Sequence, residues 1–86
     1  MQPVKLYTKS TCGFCHAAKR LLNSKGVSFS EVDILDHPEK RKDMVQESGG
    51  GQTVPQIFIG DIHVGGYDDI SMLERTGKLD QLLSLQ

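Results

Sequence analysis

KLYTKSTCGFCHAAKRLL, residues 5–22, changes its periodicity half way along. Up to Thr8 the pattern is a strand's, with Val4 and Leu6 alternating against Lys5 and Tyr7. From Cys12 onward the spacing lengthens: Phe14, Ala18, Leu21 and Leu22 stand at i, i+4, i+7 and i+8, the repeat of an amphipathic helix. The spacing predicts a strand over 3–8 and a helix over 13–25 that stops at Gly26. Two cysteines, Cys12 and Cys15, sit where the helix opens.

Downstream, VSFSEVDI (27–34) reads as a second strand whose apolar residues switch faces between Phe29 and Val32, as suits a strand touching layers on both sides. Asp36 and Glu39 have the spacing of a capping box and Pro38 fits a first helical turn, which predicts a helix over 37–48. Gly49-Gly50-Gly51 reads as its stop and a flexible loop. QIFIG (56–60) and IHVG (62–65) form a hairpin around Gly60-Asp61. A short helix follows over 68–75, stopped by Gly77, and Leu79, Leu82, Leu83 and Leu85 predict a last amphipathic turn or two. A strand, helix, strand order makes the first two strands parallel, and the hairpin adds antiparallel ones. The expected fold is an α/β three-layer sandwich: one four-stranded mixed sheet flanked by helices, in a single domain spanning 1–86.

Composition narrows the function classes. Apolar residues make up 37% of the chain and charged ones 24%, the balance of a soluble globular domain. No apolar run approaches the ~18 residues of a membrane span, and MQPVKLYTKS lacks the apolar core of a signal peptide, so a cytoplasmic setting is expected. Lys5, Lys9, Lys19, Arg20 and Lys25 fall within residues 1–30, which hold no acid; all 11 acidic residues lie from Glu31 onward. Positive charge thus gathers around the cysteines, but at a net charge of −1, with no interleaving of basic and aromatic residues, nucleic-acid binding is not expected.

Cys12-Gly13-Phe14-Cys15-His16 fits several chemistries on paper. A structural disulfide would close a very short loop and gain little. Covalent haem attachment needs the Cys-x-x-Cys-His string, but also an apolar cage and an exporting compartment, and neither is indicated. Zinc needs a fourth ligand, and His37 and His63 lack ligand-type spacing. No metal site is expected. Dithiol exchange fits best, because Cys-x-x-Cys placed after a strand and opening a helix is a thioredoxin-like arrangement. Only the thiolate attacks a disulfide. Cys12 at the N-cap would have its negative sulfur favoured by free backbone N–H groups, the helix dipole and the nearby Lys9. Cys15, one turn in, is less exposed and reaches back towards that sulfur. Cys12 is therefore the expected nucleophile and Cys15 the resolving thiol.

Three motifs in order, Tyr7-Thr8-Lys9 before Cys12-Gly13-Phe14-Cys15, then Thr53-Val54-Pro55-Gln56-Ile57-Phe58-Ile59, then Gly65-Gly66-Tyr67-Asp68-Asp69, make the whole chain resemble a glutaredoxin. The resemblance implies a thioredoxin-like fold and a glutathione-dependent thiol–disulfide oxidoreductase that reduces glutathione mixed disulfides and protein disulfides. It implies no bound cofactor, glutathione as co-substrate, disulfide-containing or glutathionylated proteins as partners, glutathione reductase acting indirectly through glutathione, and a monomer. It further implies that Pro55 is a cis-proline bringing the Val54 main chain to the glutathione cysteine beside Thr53. Lys9 and Arg41 would hold the glycine carboxylate, and Gly66, Tyr67, Asp68 and Asp69 the γ-glutamyl end, with Asp69 on its ammonium. Phe14 and Tyr7 would line the groove.

One departure stands out: Gly13-Phe14 replaces the Pro-Tyr common between the cysteines of dithiol members. Gly-Phe also occurs in the single-cysteine branch, which carries a [2Fe–2S] cluster between two subunits with glutathione as co-ligand. That is the alternative function, although this chain keeps Cys15 and lacks that branch's short insertion.

Overall fold

The computed structural model describes residues 1–84, and its elements follow the expected order. These are β1 (Val4–Thr8), α1 (Gly13–Ser24), β2 (Ser30–Asp33), a 3-10 turn (Pro38–Lys40) running into α2 (Arg41–Glu47), β3 (Gln56–Ile59), β4 (Ile62–Gly65), α3 (Tyr67–Arg75) and α4 (Lys78–Ser84). Of the last apolar repeat, Leu79, Leu82 and Leu83 fall on α4; Leu85 lies outside the described residues.

The sheet order is β2-β1-β3-β4. β1 runs parallel to β2, with Tyr7 opposite Val32, and antiparallel to β3, with Leu6 opposite Ile57. β3 and β4 pair antiparallel with an irregularity between Ile57 and Phe58. The fold is the expected thioredoxin-like sandwich, and the strand pleat explains its layers. Val4 and Leu6 point to one face, where they meet Ala18 and Leu22 of α1, Ile70 of α3, and Leu79 and Leu83 of α4. Tyr7 points to the other, against Ile34, Met44 of α2 and Phe58. Leu6, Leu22, Ile57 and Ile70 are fully buried, and each contributes about 2 kcal/mol by leaving water.

Phe29 packs on the first of these clusters and Val32 on the second, so the chain does change faces there. The regular strand, however, covers only Ser30–Asp33, because Val27 closes the end of α1 by donating to the Leu22 carbonyl (3.0 Å). Two expectations need correction. Asp36 does not cap α2: the residue before the 3-10 turn is His37, with no side-chain cap, and Asp33 instead takes the Leu35 amide (2.8 Å). Tyr7 does not line the groove it was expected to line. Both faces of β1 are buried, so its ring sits in the second layer edge-on to Phe58, its hydroxyl donating to Glu47 Oε2 (2.7 Å).

Candidate functional site

The turn after β1 delivers Cys12 to the N-cap of α1. Its amide donates to the Lys9 carbonyl (3.0 Å), and its carbonyl receives the His16 amide (3.2 Å). With extended backbone at φ −93° and ψ 114°, its sulfur turns back over the helix end and accepts the Cys15 N–H at 3.1 Å. This is how a serine or aspartate caps a helix, here performed by sulfur. The Cys12 thiol also lies 3.7 Å from the Val54 carbonyl. Gly13 opens the helix in free space, since an added Cβ there would meet nothing within 4 Å. What distinguishes it from proline at that place is its backbone N–H.

Cys15 lies directly behind and is fully buried. Burial first, then the hydrogen bond to Cys12, push its thiol from 9.0 up to about 12; the Lys9 backbone and the Lys19 charge pull the other way without offsetting this. The two sulfurs therefore differ in kind: one partly exposed and capping a backbone donor, the other buried and held as a neutral thiol at pH 7. The raised value has a stability consequence. The native state keeps the Cys15 proton where the unfolded chain loses it, so this contribution is complete below pH 9 and fades as pH rises towards 12. In denaturant titrations, the stability difference between wild type and Cys15→Ser shifts against the wild type between pH 8.5 and about 11. A pH-independent difference would contradict the buried neutral thiol.

Beside the cysteines runs a groove of about 370 Å³ whose lining includes Phe14, Thr53, Val54, Pro55, Gly66, Tyr67, Asp68 and Asp69. The Val54–Pro55 peptide is cis. Phe14, 64% exposed, stacks on Tyr67 at 5.9 Å, so it stands outside the core although it begins the apolar stripe of α1. The groove's far end is the start of α3. There Asp69 Oδ2 reaches back to accept the Gly66 N–H (2.9 Å), and both Asp68 and Asp69 are exposed. Gly65 has a reason to be glycine: φ is +116°, and a Cβ there would run into the Asp69 carboxylate. Lys9 and Arg41 are not among the groove's lining residues; Lys9 is half-buried before the cysteines, and Arg41 is exposed at the first residue of α2.

Gly51, Gln56, His63 and Gly65 line the same groove and were absent from the expected set. A signal existed for Gln56: it heads QIFI, a four-residue strand that is buried throughout, and a buried amide needs partners. His63 shows none in sequence, since any exposed hairpin position looks the same. Each of the three histidines has a partner of its own. His16 Nε2 bonds the Ser10 carbonyl (2.9 Å), His37 faces Glu39, and His63 faces Gln56. No group of three or more His, Cys, Asp or Glu among the described residues could hold a metal ion.

The glutaredoxin family model matches residues 4–64. Glutaredoxin 3 of Escherichia coli strain K12 is 53% identical over 83 residues, covering 96% of this chain and 99% of its own. The glutaredoxin of Pseudomonas aeruginosa is 51% identical over 84 residues, covering 98% and 99%. The chain belongs to the glutaredoxin family. Among solved structures, a buckwheat glutaredoxin–glutathione complex superposes with a TM-score of 0.85 at 30% identity, covering 96% of this chain and 77% of that one. The Brucella melitensis glutaredoxin gives 0.81 at 51% identity, covering 96% and 89%. A glutaredoxin at this level of identity is a thiol–disulfide oxidoreductase, the activity expected from the motifs. The iron–sulfur alternative gains no support from these relatives.

Proposed function

We propose that this glutaredoxin reduces glutathione mixed disulfides with glutathione itself, as a single-domain monomer of the cytoplasm. The observation that carries this reading is the pairing of a helix-capping Cys12 with a buried, protonated Cys15 beside a groove ending at a helix N-terminus. The Cys12 thiolate attacks the glutathione sulfur of a glutathionylated protein. The S–S bond of that substrate breaks, the protein leaves as a thiolate that takes up a proton, and a Cys12–glutathione disulfide forms. A second glutathione thiolate then attacks the bound glutathione sulfur, restoring Cys12 and releasing oxidised glutathione, which glutathione reductase returns to thiol at the expense of NADPH. No bound cofactor enters these steps.

Binding follows from the groove's chemistry. The γ-glutamyl carboxylate suits the free N–H groups opening α3, and its ammonium suits the Asp69 carboxylate. The Val54 main chain pairs with the extended tripeptide as an added strand would, next to Thr53 and Pro55. Phe14 and Tyr67 wall the groove. Lys9 and Arg41 attract the glycine carboxylate from outside its lining. No helix among the described residues is long and apolar enough to cross a membrane.

A coupled assay with a glutathionylated peptide, glutathione, glutathione reductase and NADPH tests the reading. Saturable turnover is expected. A protein that reduces a plain dithiol-exchange substrate but shows no saturation with the glutathionylated peptide would overturn it.

A further inference from the structure

Gln56 is the one amide side chain in the buried lining of the groove, at 6% exposure, and both its ends are used. Nε2 donates to the Thr53 carbonyl at 2.9 Å, and Oε1 faces His63 Nε2 at 2.7 Å. The first bond fixes which way the amide lies, since a reversed amide would set two oxygens against each other. The hydrogen-bond network therefore assigns the proton of His63 to Nε2, donating to Gln56. The imidazole is held against Phe58, ring centroids 5.0 Å apart. The loop before Thr53 closes over the same amide. A Cβ on Gly51 would lie 2.7 Å from Gln56 Nε2 and 2.6 Å from Ser48 Oγ, and that hydroxyl receives the Gly51 N–H (2.8 Å).

These contacts act on one peptide plane. The bond between Thr53 and Val54 is trans, because the cis bond found among the described residues is the next one, so the Thr53 carbonyl and the Val54 N–H point in opposite directions. Pinning the carbonyl to Gln56 turns that N–H away from Gln56. Through Gln56 its orientation is linked to a side chain on β4, nine residues downstream in sequence.

We infer that His63 is a positioning residue for the substrate: through Gln56 it fixes the Thr53–Val54 peptide so that the Val54 N–H is presented to the glutathione moiety. The inference rests on the glutathione reading of the groove. His63 touches no reacting atom, so its loss weakens binding of the glutathionyl group and leaves the exchange chemistry of Cys12 alone. A buried amide stripped of one partner also loses the constraint on its other end.

The test compares His63→Phe, which keeps a ring against Phe58 but has no donor, with His63→Gln, whose amide nitrogen can occupy the place of Nε2. In the coupled assay, His63→Phe is expected to raise KM for a glutathionylated peptide about five-fold, with kcat within about two-fold of wild type. His63→Gln is expected to stay within about two-fold in both. An unchanged KM in His63→Phe, or equal values for the two variants, would overturn the inference. A second readout is independent of turnover: long-range proton–nitrogen correlation spectra of the wild type at pH 8 should show the Nε2–H tautomer of His63, and the Nδ1–H tautomer would overturn it. Should the wild type fail to saturate with the glutathionylated peptide, the glutathione reading falls, while the tautomer still decides whether the His63–Gln56–Thr53 relay exists.

Discussion

Replacing Cys12 by serine should lower turnover of a glutathionylated peptide by at least about a thousand-fold, while Cys15→Ser keeps about half of it or more. The difference follows from where the two sulfurs sit. Cys12 is partly exposed, within reach of the groove, and capped by the Cys15 N–H, a bond that belongs to the main chain and survives a serine at position 15. Cys15 is sealed, and burial holds its thiol protonated up to about 12. To resolve the Cys12–glutathione disulfide it must first lose a proton that its surroundings retain, whereas a second glutathione attacks from solvent. The dominant route therefore needs only Cys12. Mass spectrometry of Cys15→Ser during turnover should find glutathione on Cys12. A Cys15→Ser variant as inert as Cys12→Ser would instead place the intramolecular disulfide on the main route.

The second large effect belongs to Asp69. Its carboxylate serves α3 by accepting the Gly66 N–H, and in the proposed complex it also faces the γ-glutamyl ammonium. Two substitutions separate these duties. Asp69→Asn retains an oxygen to accept the Gly66 N–H but not the charge; Asp69→Ala retains neither. Both should raise KM for the glutathionylated peptide about ten-fold, the scale of a lost charge-assisted bond. Only Asp69→Ala should also lose about 1 kcal/mol of stability, or about 4–8 °C in Tm for a chain of this size. If Asp69→Asn binds as well as wild type, the carboxylate is a helix cap and nothing more.

What could be read from the residues and what could not divide along physical lines. The succession of elements along the chain, the parallel first pair, the hairpin and α1 were all legible, because each rests on a local period bounded by glycine or proline. Cys12 at the N-cap was legible for the same reason: the change from strand to helix spacing falls on it. Asp36 misled because capping competes with turn formation, and Asp33, three residues earlier, already holds the Leu35 amide. Tyr7 misled because it stands close to the cysteines in sequence, whereas the pleat of a strand buried on both sides sends it to the second layer. Lys9 and Arg41 belong to segments whose distance from the groove is set by packing, which no spacing encodes. Gln56, an amide heading an apolar strand, left a trace in the sequence, but its partner His63 became visible only through the β3–β4 register, which sets His63 opposite Phe58, two residues on from Gln56.

The two sides of the sheet are unequally furnished. Ten buried side chains knit α1, α3 and α4 to one face, and four hold α2 to the other, where the outermost ties are the Glu47 contacts to Tyr7 and Lys5. Sub-global opening starts where the fewest apolar contacts must be broken. Backbone amides of α2 should then exchange with heavy water well before those of α1. The layer bearing the reactive sulfur should therefore stay closed through openings that expose the opposite side of the sheet.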